Sequence, residues 1–246
     1  MHLALARELV TPATLAALPT SAGEAVERYP GYFYYGNVAP DARYLCGVPR
    51  DQTHFYSWVR TKRATTGIEA LLATYTELAG SLARPGAARA FLLGYACHLV
   101  TDETWIEHVV IPHFRQGPLA DVPERERIHL ALYTHFDETE ESNLGDRAEL
   151  ATLLTSAADL ELIPFLEASV LANWRDQVVT ALGVSGGPAA LGAIWASLGR
   201  PPEDLDLFVA ELPDLRARAL AAVAAPATAT YREDSLARSR ELLRRL

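Results

Sequence analysis

AARAFLLGYACHLVTDETWIEHVVIPHF, residues Ala87–Phe114, is the stretch on which the reading of this chain turns. Phe91, Leu92, Leu93, Tyr95, Ala96, Leu99 and Val100 leave no polar face, the pattern of a helix buried on all sides. Into it the sequence sets His98 and, four residues on, Asp102. At about 100° per residue the two share one face a turn apart, so an imidazole and a carboxylate point at a common spot. Gly94, one turn earlier, is expected to leave that face open toward the middle of the protein. A buried aspartate is costly unless it is paired or bound to a cation. A His–Asp hydrogen bond in a core meets that demand as a metal would, and the pair alone does not separate the two.

Outward from this stretch the signals are helical. Arg84–Pro85–Gly86 is a break before it, and Pro112 is expected to stop it after Ile111. Upstream, His2–Leu18 reads as amphipathic helix with a restart at Thr11–Pro12, and Thr20 or Ser21 caps a short helix to Glu27. Tyr29–Asp51, rich in tyrosine, glycine and proline, reads as a long ordered loop. Thr53–Arg60 reads as a helical turn carrying His54 and Trp58, and Ala64–Gly80 as an amphipathic helix. Pro123–Glu124 opens a helix that carries His129, Tyr133 and Asp137 at four-residue steps. Residues 147–246 read as four or five helices, broken near Gly183–Gly187, Gly199–Pro202 and Ala224–Pro226. Alanine and leucine dominate and strand-length runs of Val and Ile are scarce. The expectation is one all-α domain over 1–246, a multi-helix bundle around a buried metal cluster. Residues 1–140 form its metal-site half and 147–246 a helical C-terminal half.

The histidines carry the functional signal. All seven (His2, His54, His98, His108, His113, His129, His135) fall in the first 135 residues, interleaved with Asp41, Asp102, Glu103, Glu107, Asp137 and Glu138. Imidazoles mixed with carboxylates are the composition of a transition-metal site, and zinc is the default ion. Taken singly, each histidine is as readily a surface or core residue. Cys46 and Cys97 form no framework, and Cys97 lies within the apolar helix. The net charge of −9 argues against a nucleic-acid partner, which usually meets a basic footprint. No window reaches 18 uninterrupted apolar residues, so no transmembrane span is expected. The N-terminus lacks a basic start followed by an apolar run, which leads to the expectation of a cytoplasmic protein. Nothing in the sequence signals an oligomeric state.

The ordered series His2, Pro40–Asp41, His54, GYACHLVTD with His98 and Asp102, then His108 resembles the zinc-dependent phospholipase C family. That family is similar in turn to the fungal single-strand-specific zinc nucleases, and both are all-α with three zinc ions at the catalytic centre. The resemblance covers roughly residues 1–140, and GYxxHLxxD followed by a histidine is its most specific part. It implies that Asp41, His54 and His98 hold one zinc and that Asp102 bridges to a second, whose shell His2 completes. It also implies that His108 and a histidine of the next helix, His129 or else His135, hold a third. The family's N-terminal residue is itself a ligand, whereas here Met1 precedes His2. The position four after His129 is Tyr133 and not a carboxylate, so the third site is degraded or borrows Asp137 or Glu138, and two or three ions are expected.

Such a cluster hydrolyses phosphodiesters or phosphomonoesters of lipids or small molecules, with Asp41 the candidate general base. Tyr34, Tyr35 and Tyr133 are the candidate substrate-binding residues. Two other readings compete. Glu126–Arg127–Ile128–His129 is an ExxH of the kind di-iron helical oxygenases use, though no second ExxH accompanies it. A helical binding protein that has lost its metals is the other.

Overall fold

The computed structural model describes residues 1–56, 65–183, 191, 195, 201–223 and 225–246. Among these there is no strand, and the architecture is all-α as expected. Trp58 and the break near Gly183–Gly187 fall partly or wholly outside the described residues.

The helix Ala87–Trp105 is the axis of the molecule, and every residue from Arg89 to Thr101 is buried. Around it pack the helices Thr20–Arg28, Pro30–Val38, Gly67–Thr74, Thr76–Leu82 and Ala225–Arg245. Burying a leucine or phenylalanine side chain is worth about 1.5–3 kcal/mol. Phe91, Leu92, Leu93 and Leu99 therefore hold several helices on one rod.

The closest of these packings is with Pro30–Val38, and glycines make it possible. A Cβ on Gly94 would collide with the Phe33 carbonyl oxygen, and one on Gly36 with that of Phe91. The two backbones therefore touch, and Gly94 serves a helix crossing; it does not open a face toward the interior. At the crossing the Asn37 side-chain amide donates to the Gly94 carbonyl over 3.3 Å.

This crossing also corrects the reading of Tyr29–Asp51 as a loop. The segment holds the helix Pro30–Val38, the 3-10 turn Ala39–Ala42 and the short helix Arg43–Cys46, with Arg50–His54 beginning at its end. Pro30 stands in the first helical turn, where its missing N–H costs nothing, and Gly36 is there for the close approach.

Pro112 does not end the chain's central rod either. The rod continues past Trp105 as a π-helical segment, Ile106–Arg115, with Gln116 N–H donating to the Ile111 carbonyl at 2.9 Å. The wider turn accommodates a residue that cannot donate its own hydrogen bond. The expected helix Ala64–Gly80 is two helices over its described part, separated at Tyr75. A capping box of Thr66 and Glu69 starts the first. Downstream, residues 157–167 form no helix, and Phe165 packs there on Phe55 and Tyr75.

No helix among the described residues is long and apolar enough to cross a membrane.

Candidate metal centre

Five side chains from four elements meet beside the central helix. His98 and Asp102 stand on it one turn apart, Asp41 comes from the turn Ala39–Ala42, and His54 ends the helix Arg50–His54. His2 opens the N-terminal helix His2–Leu9. Two overlapping groups result, His2–His98–Asp102 and Asp41–His54–His98, with the ligand atoms of each within 4.8 Å of one another. His54 Nε2 lies 3.3 Å from His98 Nε2, 3.2 Å from Asp102 Oδ2 and 3.5 Å from Asp41 Oδ1. His2 Nε2 is 3.3 Å from Asp102 Oδ1, and its ring stacks on His98 with centroids 4.0 Å apart. His54 and His98 form the buried floor at 1% exposure, while Asp41 at 27% and His2 at 19% form a rim.

The protons of the two floor histidines are committed to the protein. His98 Nδ1 faces the Asn37 carbonyl oxygen at 2.8 Å, so this nitrogen must carry the hydrogen. His54 Nδ1 lies 2.8 Å from Thr53 Oγ1, and the Thr53 hydroxyl is directed at the Arg50 carbonyl, 3.3 Å away. The hydroxyl oxygen is thus left to accept from His54 Nδ1–H. In neutral rings both Nε2 atoms then present lone pairs. Two imidazole nitrogens 3.3 Å apart, flanked by two carboxylates, gather four potential ligand atoms in one place, with the Arg50 guanidinium on the outer side of Asp102. That arrangement calls for a cation, and its donors, imidazole nitrogen and carboxylate oxygen, suit zinc. The outer hydrogen bonds from Asn37 and Thr53 orient the rings as outer partners of metal ligands do.

The electrostatics keep the groups in their metal-binding forms. Burial, aided by the neighbouring His2, pulls His98 down to about 3, so its ring is neutral near pH 7. Burial pushes the Asp102 carboxyl upward, but Arg50, His2 and His54 outweigh it and hold it well below the usual carboxylate range. At Asp41 burial is likewise overcome, here by His54 and His98.

A family model described as zinc dependent phospholipase C matches residues 1–168 of this sequence. The chain belongs to the zinc-dependent phospholipase C family. That membership makes the family's hydrolase chemistry and its zinc dependence the frame in which the five-residue group is read. No curated protein and no solved structure matches the chain.

Two of the seven ligands expected from the resemblance to zinc-dependent phospholipase C are not brought into the group. His108 Nε2 lies 2.8 Å from Asp234 Oδ2, on the C-terminal helix, and Arg238 reaches the same oxygen at 2.7 Å. His129 Nε2 accepts from the Trp105 indole N–H at 2.9 Å, within a nest of rings from Trp105, Phe114 and Tyr133. Burial pulls His129 down to about 4 and pushes the Tyr133 phenol well above its ordinary value. His135 packs its edge on Phe136. Glu126 is exposed, and among the described residues it joins no metal-binding group.

The tyrosines divide in the same way. Tyr34 and Tyr35 are buried in the core, Tyr35 edge-on to Phe91, so neither lines a wall of the site. Tyr44 is the tyrosine of that segment beside the centre. Burial raises its phenol to about 12, helped by the charge of Asp41. The sequence reading missed Asn37, Thr53 and Arg50. Arg50 was the one with a signal: in RDQTH it stands one helical turn before His54.

Proposed function

We propose that this chain is a zinc-dependent phosphoric-ester hydrolase whose two ions are held by His2, Asp41, His54, His98 and Asp102. Its substrate is a phosphodiester or phosphomonoester of a small molecule or lipid. The observation that carries the reading is the pair of Nε2 atoms of His54 and His98, 3.3 Å apart and flanked by Asp41 and Asp102. Bound zinc supplies Lewis acidity to the phosphoryl group and lowers the pKa of water toward about 7. The chain's own residues do the rest. Asn37 and Thr53 hold the two floor imidazoles in the tautomer that leaves Nε2 bare. Asp102 turns one oxygen to His2 and the other to His54, so a single carboxylate spans the two halves of the centre. Asp41, the most open of the five, accepts the proton of the attacking water at a carboxylate oxygen. Tyr44 and Tyr133, whose phenols stay protonated at neutral pH, flank the organic part of the substrate.

The charge of −9 disfavours a nucleic acid as that substrate. The test is hydrolysis of a panel of phosphodiesters and phosphomonoesters, lipid and soluble, with and without a chelator. Chelator-sensitive hydrolysis of at least one is expected. Turnover of none by zinc-loaded protein, or turnover untouched by the chelator, contradicts the reading.

A further inference from the structure

The centre contains a cation of its own. Arg50 opens the helix Arg50–His54 one turn before His54, so its guanidinium and the His54 imidazole reach the same carboxylate. Its Nη2 donates to Asp102 Oδ2 and its Nη1 to the Tyr56 carbonyl, 3.4 Å away. Only 14% of the side chain is exposed, close to the 13% of Asp102. Among the described residues, Arg50 is the only arginine or lysine ion-paired to any of the five ligand candidates. An arginine held beside Asp102 brings a fixed positive charge to the metal-binding group, and a guanidinium matches the oxygens of phosphate.

The expected third ion bears on the same point. His108 is engaged by Asp234, and His129 by the Trp105 indole. Tyr133 takes the place of the carboxylate, and its phenol cannot lose a proton near neutral pH.

We propose that Arg50 is the phosphate-binding cation of this centre, doing with a fixed guanidinium what a third zinc ion would otherwise do. The site then holds two ions and one arginine, and Arg50 takes a non-bridging oxygen of a phosphate ester or of inorganic phosphate. The proposal rests on the hydrolase reading above. It goes beyond that reading by assigning the third positive charge to a side chain and by fixing the ion count at two.

The test uses the full-length chain as wild type, Arg50→Gln and Arg50→Lys, each loaded with zinc and dialysed. Zinc per chain is measured directly, and inorganic phosphate affinity by calorimetry and as competitive inhibition. All three forms are expected to hold two zinc ions. Phosphate affinity should fall in the order wild type, Lys, Gln, with at least about a tenfold loss for Gln because a charge-assisted contact disappears. The Lys variant keeps the charge beside Asp102, and if the Gln variant does not fold, a loss of about threefold or more for Lys carries the result. Unchanged phosphate affinity in the variants with zinc still bound overturns the Arg50 proposal and leaves the hydrolase reading standing. So does a third zinc bound by wild type. Wild type that holds no zinc overturns both.

Discussion

Two sets of histidines stand beside the central helix, and they differ in what their Nε2 atoms meet. His54 and His98 turn Nε2 toward each other and toward two carboxylates, with their protons fixed on Nδ1 by Thr53 and Asn37. His108 and His129 turn Nε2 toward groups the protein already provides, the Asp234 carboxylate and the Trp105 indole N–H. Residue type is the same in both sets. What separates them is the partner already in place: His108 Nε2 donates to Asp234 and His129 Nε2 accepts from Trp105, whereas His54 and His98 face each other within a cluster of carboxylates. A histidine serves a shared centre only while Nε2 is not taken by a partner outside it.

The sharpest way to break this contrast is to disturb the crossing that aims His98. Gly94→Ala puts a methyl group into the Phe33 carbonyl and forces apart the helices that carry Asn37 and His98. Overpacking of this kind costs about 3 kcal/mol. A lowered unfolding midpoint together with weakened zinc binding is expected. If stability falls while zinc affinity is untouched, the crossing holds up the fold without aiming the ligand.

Thr53→Val probes the second proton anchor with nearly the same shape. Removing the hydroxyl leaves the His54 tautomer unset, and loss of such an outer partner costs about 10–100-fold in metal affinity. A zinc titration against a competing chelator measures it. An unchanged affinity would mean that Thr53 only packs.

His108→Ala should have the smallest effect. Its pair with Asp234 is over a quarter exposed on both sides, and Arg238 remains on the same carboxylate. A loss of under about 1 kcal/mol is expected, with the zinc count unchanged. A drop in zinc would return His108 to the set of ligands.

How much of this could be read from the sequence follows the same line. The central helix was legible because seven apolar residues leave it no polar face and His98–Asp102 spacing fixes a shared side. Asp41, His54 and His2 were reached through the resemblance, since nothing local in the chain says that a turn, a helix end and an N-terminal helix converge. Tyr29–Asp51 was misread because its glycines and prolines have the texture of a loop. In the folded chain Gly36 permits a helix crossing and Pro30 begins a helix. Asn37 and Arg50 were hidden by that misreading, because a residue assigned to a loop has no face. The absence of a carboxylate at Tyr133 was legible, and so was the doubt it casts on a third ion. That an arginine pairs with Asp102 needed the fold.

The measurement closest to the central claim is zinc per chain, determined on protein purified without added metal and dialysed extensively, for wild type and Asp102→Asn. Wild type should hold two ions. Asp102→Asn should keep its helical spectrum and hold at most one, because the amide is a neutral, weak ligand in place of the carboxylate that spans the centre. Wild type with essentially no zinc, or Asp102→Asn with the full two, would contradict the account.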